Sequence, residues 1–132
     1  MRLLDFIIAD VVRQELGNKT SIMGVYGEEI ILSPPPPSWP IPLRIAVYIR
    51  VSPENADVMP DKFSLQISQS GNKIAHMRGN IAVAEKGKSF VVPLVIFPLP
   101  IPGPGLIQFD FVLTFKDEKL VESSNTLNVK VA

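Results

Sequence analysis

Residues 43–52 read LRIAVYIRVS. Leu43, Ile45, Val47, Ile49 and Val51 alternate with Arg44, Ala46, Tyr48, Arg50 and Ser52. A period of two sends the two sets to opposite faces of an extended chain. One set is wholly apolar and the other mixed, so the stretch predicts a strand with one buried and one wet face. Outward from it, Phe63, Leu65 and Ile67 alternate with Ser64, Gln66 and Ser68. Ile107, Phe109, Phe111, Leu113 and Phe115 alternate with Gln108, Asp110, Val112 and Thr114, and Leu127, Val129 and Val131 with Asn128 and Lys130. Residues 4–14 and 90–97 are apolar on both parities, the pattern of central or sandwiched strands. No window of a dozen residues carries a helical stripe, and 13 prolines oppose long helices.

Turn chemistry separates these runs. Gly17-Asn18-Lys19 and Gly71-Asn72-Lys73 suit tight hairpins with Gly-Asn as a two-residue turn of the II′ kind, because glycine accepts positive φ. Glu85-Lys86-Gly87-Lys88 and Lys116-Asp117-Glu118-Lys119 read as two more reversals, and Ser52 to Asp61 as a longer loop. Short strands at this spacing predict one all-β domain over residues 1–132, an immunoglobulin-like (Greek-key) β-sandwich of about eight or nine strands. Phe109, Phe111 and Phe115 are expected to face the opposing sheet, each contributing roughly 2–3 kcal/mol of transfer free energy if fully buried.

Composition removes several function classes. A chain of 132 residues can bury about two thirds of its unfolded surface, so it needs no staple. The absence of cysteine excludes disulfides, thiolate metal sites and cysteine nucleophiles. It also fits a reducing compartment, and the cytoplasm is the expectation. Thirteen basic and thirteen acidic residues give zero net charge, against a nonspecific nucleic-acid binder. The N-terminal MRLLDFIIADVVRQE is broken by Asp5 and Asp10 and lacks a small-residue cleavage site, so it reads as a strand, not a leader. No segment approaches 18 uninterrupted apolar residues, so no membrane span is expected.

Charges cluster in residues 9–27, ADVVRQELGNKTSIMGVYG. With Gly17-Asn18 as the turn, Glu15 faces Thr20 and Arg13 faces Ile22. Arg13 and Glu15 then share one face beside Lys19 at the tip, whereas Asp10 shares the parity of Phe6, Ile8 and Val12. A carboxylate on that side must find hydrogen-bond donors. The group Asp10, Arg13, Glu15 and Lys19 is read chiefly as structural, with a polar recognition patch as the sharper alternative. The strings Ala9–Glu15 and Gly17–Tyr26 contain Asp-x-x-Arg-x-Glu, a turn, Lys-x-Ser-x-x-Gly-Val. This resembles the N-terminal signature of a family of small bacterial and phage-associated proteins of unknown function, over about residues 5–31. The resemblance implies no activity, cofactor or site residues.

The tract Ser33-Pro34-Pro35-Pro36-Pro37-Ser38-Trp39-Pro40-Ile41-Pro42 is the most unusual feature. Four prolines enforce an extended rod, and Trp39 with Pro36, Pro37 and Pro40 could present an aromatic–proline surface to a partner. The plainer reading is a stiff crossover with Trp39 capping the core. The second tract, Pro98 to Gly105, is expected to run near it. Trp39, Phe97, Leu99 and Ile101 would together form an exposed apolar patch if they clustered.

Catalytic signals are sparse. The single histidine, His76, lies in KIAHMRG without a G-x-S-x-G, and reads as an ordinary strand residue. No spaced His or carboxylate cluster predicts a metal, and no glycine-rich loop predicts a phosphate or nucleotide cofactor. Glu28, Glu29, Asp110 and Glu122 cannot be paired across a cleft from sequence, so a carboxylate hydrolase is a distant third reading. The leading expectation is a non-enzymatic binding or structural module without cofactors. It would engage a protein partner or its own copies through loops, a strand edge or the Pro/Trp-rich end. The alternative is a lectin-like sandwich that binds a small molecule or glycan, with Trp39, Tyr26 and Tyr48 as stacking candidates.

Overall fold

Every run of alternating residues folds as a strand in the computed structural model, which describes residues 1–17, 19–54, 58–82 and 86–132. There are nine strands among the described residues: β1 (Arg2–Glu15), β2 (Lys19–Val25), β3 (Glu29–Leu32), β4 (Ile41–Ser52), β5 (Lys62–Gln69), β6 (Asn72–Asn80), β7 (Phe90–Ile101), β8 (Gly105–Phe115) and β9 (Glu118–Val131). They form two packed sheets, ordered β2-β1-β4-β7 and β3-β9-β8-β5-β6. All neighbours run antiparallel except β3, which pairs parallel with β9. The fold is therefore an all-β sandwich.

The core is what the alternation demands. Ile45, Val47, Ile49 and Val51 of β4 are buried against Leu65, Ile67, Ile107, Phe109, Phe111 and Leu113 of the other sheet. Phe6 meets Phe111 edge-on, with ring centres 6.3 Å apart and planes at 77°, a favoured aromatic geometry. Phe109 and Phe111 are fully enclosed. Phe115 ends the ladder half-buried, with the Lys116 ammonium over its ring at 5.3 Å. The Asn125 side chain donates to the Phe6 carbonyl at 2.9 Å and so ties the sheets together.

Two turn readings need correction by one residue. Glu15 pairs with Lys19 and Arg13 with Ser21, so the first hairpin closes on a three-residue loop in which Gly17 adopts φ +76°. Asn18 lies outside the described residues. In the second hairpin Gln69 pairs with Asn72, leaving Ser70-Gly71 as the two-residue turn. Both adopt positive φ, 52° and 79°, which is a type I′ turn, whose twist matches that of the strands. Lys116-Asp117 makes the expected reversal in the same way, with φ of 48° and 67°. Gly87 turns with φ 79° before β7, while Glu85 and residues 55–57 of the longer loop lie outside the described residues.

The reading of residues 90–97 as a central strand is also corrected. β1 is central, but β7 is the edge of its sheet and pairs with β4 alone. Its open side carries Pro93, Pro98 and Pro100, residues with no N–H to offer a further strand. Its two apolar parities arise because Val92, Leu94 and Ile96 face the core while Val91, Pro93, Val95 and Phe97 stand on the outer face of the strand. No helix is long and apolar enough to cross a membrane among the described residues.

Candidate functional site

The chain leaves one sheet at Leu32 and enters the other at Ile41, so residues 33–40 are the crossover between layers. Trp39 is half-buried and packs against the core cluster, as a stiff crossover with a capping indole requires. The second proline tract lies beside it, because Ile41 pairs with Ile101 and Pro42 with Pro100. The Gln69 side chain donates to the Gly103 carbonyl at 2.9 Å and pins this corner to the end of β5.

Trp39 and Pro40 from the crossover, Pro100 and Pro102 from the end of β7, and Asn72, Lys73 and Ile74 from β6 line a cleft of about 370 Å³. The prolines present fixed rings, the indole presents a flat apolar face, and Asn72 and Lys73 supply donors beside them. Such a volume lies in the range of ligand pockets. Pro36 and Pro37 stand in the crossover and do not line the cleft. The expected cluster of Trp39, Phe97, Leu99 and Ile101 does not form: Leu99 and Ile101 are buried in the core, and Phe97 projects on the outer face of β7. A shift of register between Leu43 and Ile45 sets Phe97 and Pro98 opposite Arg44. This bulge turns Leu99 inward.

The hairpin charges divide into two places. Glu15 stands opposite Lys19 at the tip and Arg13 opposite Ser21, on the outer face. Asp10 has the parity of core residues, as read from the sequence, but lies beyond the core where it is exposed. Its carboxylate accepts the Tyr26 hydroxyl proton in a short hydrogen bond. The Tyr26 N–H donates to the Ile8 carbonyl at 2.9 Å, fixing the residue that reaches back. Burial, then the Asp10 hydrogen bond and Asp10's charge, push the Tyr26 phenol up to about 12. Opposite Asp10 is Gly24, at φ +65°, where a Cβ would meet Asp10 Oδ2 at 2.5 Å. Asp10 is thus a structural tie, apart from the tip charges.

Sequence reasoning missed one pair. Ser64 Oγ lies 2.7 Å from His76 Nε2 on the outer face of β5 and β6. Gln66 is opposite His76 and Ser64 opposite Arg78, so the pair is a diagonal cross-strand contact, visible only once the register is known. Desolvation, then the charges of Arg78 and Lys73, hold the imidazole below its usual range, which keeps it neutral near pH 7. Beside it Lys62, Phe63, Ser64, Arg78, Gly79, Asn80, Thr114 and Asp117 line an open depression of about 440 Å³. Asp110, the nearest carboxylate in register, accepts from Gln108 and Ser124 instead. The His76 partner is the Ser64 hydroxyl, and no group of three or more metal-ligating side chains is present among the described residues.

No family model matches this chain, and no curated protein matches it.

Proposed function

We propose that the chain is a non-enzymatic, cytoplasmic binding module of the small bacterial and phage-associated kind its N-terminal signature resembles, with its ligand site at the Trp39 cleft. The observation that supports this reading is the meeting of two proline tracts around one indole at a sheet-to-sheet corner. Rigid apolar walls lose little conformational entropy on binding, and a donor-bearing lip fixes orientation. An extended protein segment carrying proline or another apolar residue fits such walls, as in other aromatic–proline recognition. Asn72 and Lys73 beside the indole also suit a sugar ring stacked on its face, which is the second reading.

Trp39 is the only tryptophan, so its emission reports on the cleft directly. Peptides selected from a random displayed library are titrated against the protein while that emission is followed. Saturable shifts are expected, and affinity measured by titration calorimetry on both proteins should fall at least tenfold in Trp39→Ala. A glycan array run on the same two proteins separates the second reading. Selected peptides that bind Trp39→Ala as well as the parent would refute the assignment of the cleft.

A further inference from the structure

Among the described residues the sandwich has four edge strands, β2 and β7 in one layer and β3 and β6 in the other. An edge presents unpaired N–H and C=O groups, a template for another extended chain. On β7, Pro93, Pro98 and Pro100 have no N–H to give. β3 is only four residues long. β2 leaves extended geometry at Gly24, with φ +65°. β6 has none of these defences from Ala75 to Asn80: it holds no proline and no residue at positive φ, and it pairs with β5 alone.

Two cavities open beside this strand. Asn72, Lys73 and Ile74 at its start line the Trp39 cleft, and Arg78, Gly79 and Asn80 at its end line the open depression. Lys73 pairs with Ser68 and Ala75 with Ile67, so Ile74 is an extra residue. Such a bulge bends a strand, and it does so here at the lip of the cleft. From Ala75 to Asn80 the ladder is regular over roughly 17 Å. A segment hydrogen-bonded along these residues leads from the depression to the indole.

Charge selects that segment. β6 carries Lys73, His76 and Arg78 and no acidic residue. All three lie opposite Ser68, Gln66 and Ser64, which alternate with buried Leu65 and Ile67, so they share the outer face. Lys62 joins Arg78 in the depression, where Asp117 is the one carboxylate on the lining. Among the described residues no ion pair engages Lys62, Lys73 or Arg78. Pairing two β6 strands antiparallel about Ala75 and His76 sets each Lys73 opposite an Arg78, and like charges so placed destabilise. Acidic side chains at alternate positions of a foreign strand instead stand beside these cations, with Cβ atoms about 5 Å apart. The residues between them turn toward Ala75 and Met77, which pack half-buried against the core.

We infer that β6 takes up an extended acidic segment of another protein as an added strand. Its alternate acidic residues lie along Arg78, His76 and Lys73, and a proline or other apolar residue beyond them enters the Trp39 cleft. The inference rests on the reading of that cleft as a peptide site and adds the partner's charge and its backbone pairing.

The probes are synthetic peptides of alternating Glu and Val with a Pro-Pro pair at one end or the other, and matching peptides with Lys for Glu. In titration calorimetry at neutral pH and low salt, one Glu order should bind at least tenfold tighter than any Lys peptide. Lys73→Glu combined with Arg78→Glu, both at exposed positions, should reverse that preference. Methylating the peptide nitrogens of the Val residues, or separately of the Glu residues, should abolish binding in one series and spare it in the other, because a strand turns alternate N–H groups to its neighbour. If the double variant fails to fold, the methylated series on the parent protein decides. Glu peptides that do not bind, or bind no tighter than Lys peptides, overturn the inference. So do two methylated series that bind alike. Either result leaves the cleft reading standing if library-selected peptides still lose affinity in Trp39→Ala. Charge reversal and methyl parity that persist unchanged in Trp39→Ala support the added strand and refute the cleft.

Discussion

Replacing Gly24 with alanine tests the tie between the first hairpin and the end of the core. Two effects add. Gly24 holds φ +65°, and an L-residue in the left-handed region costs about 1–2 kcal/mol. The new Cβ would also sit 2.5 Å from Asp10 Oδ2, so the carboxylate must swing away and the Tyr26 bond loosens. A hydrogen bond to a charged group contributes about 1.5–3 kcal/mol; with Asp10 exposed, about 1 kcal/mol is the discounted figure. The expected loss is therefore about 2–3 kcal/mol, or on the order of 10 °C in Tm for a domain of this size. Urea unfolding measures the energy. Spectrophotometric titration in a Tyr48→Phe background, which leaves Tyr26 as the one tyrosine, measures the bond. The folded phenol titrates near 12 against 10.0 unperturbed. Its stabilising contribution is complete below pH 10 and disappears as pH rises through 12. Gly24→Ala should move that titration down toward 10, and adding Asp10→Asn should cost less than the sum of the two changes. A Gly24→Ala protein within 0.5 kcal/mol of the parent, or with the Tyr26 titration unmoved, refutes the reasoning.

Other outcomes follow from the same contacts. His76 is held below its ordinary 6.5, so between the folded and unfolded values the unfolded chain binds more protons. Stability should fall as pH drops through 6.5, and His76→Gln should flatten that profile; coincident profiles would count against the desolvated imidazole. Phe111 is fully buried and meets Phe6, so Phe111→Ala should cost about 3–5 kcal/mol in urea unfolding, and a loss under 1 kcal/mol would mean the sheets repack around it.

The strands were legible because one face of each is buried. Selection against water writes a period of two into Leu43–Val51 and Ile107–Phe115, and those residues need no knowledge of their neighbours to be read. Position in a sheet was not legible. Residues 90–97 look central because an apolar outer face and a buried inner one leave the same trace. Glycine marked both hairpins but could not say which place in the turn it takes. Ser70 at φ 52° moves the second turn one residue upstream. The parity of Asp10 followed from the strand alone, but its partner Tyr26, sixteen residues on, follows from the register of two strands. The Ser64–His76 contact and the Trp39 cleft depend on pairings across several strands, which no local pattern encodes.

The parallel union of β3 with β9 joins residues 29–32 to residues 128–131. During synthesis, β3 leaves the ribosome nearly a hundred residues before its neighbour exists. One layer of the sandwich must wait, its edge open, until the last strand slides between β8 and β3. Such distant pairing belongs to slowly folding topologies, on the millisecond-to-second scale. The four prolines that follow β3 directly, with their fixed φ, limit where that waiting strand can wander.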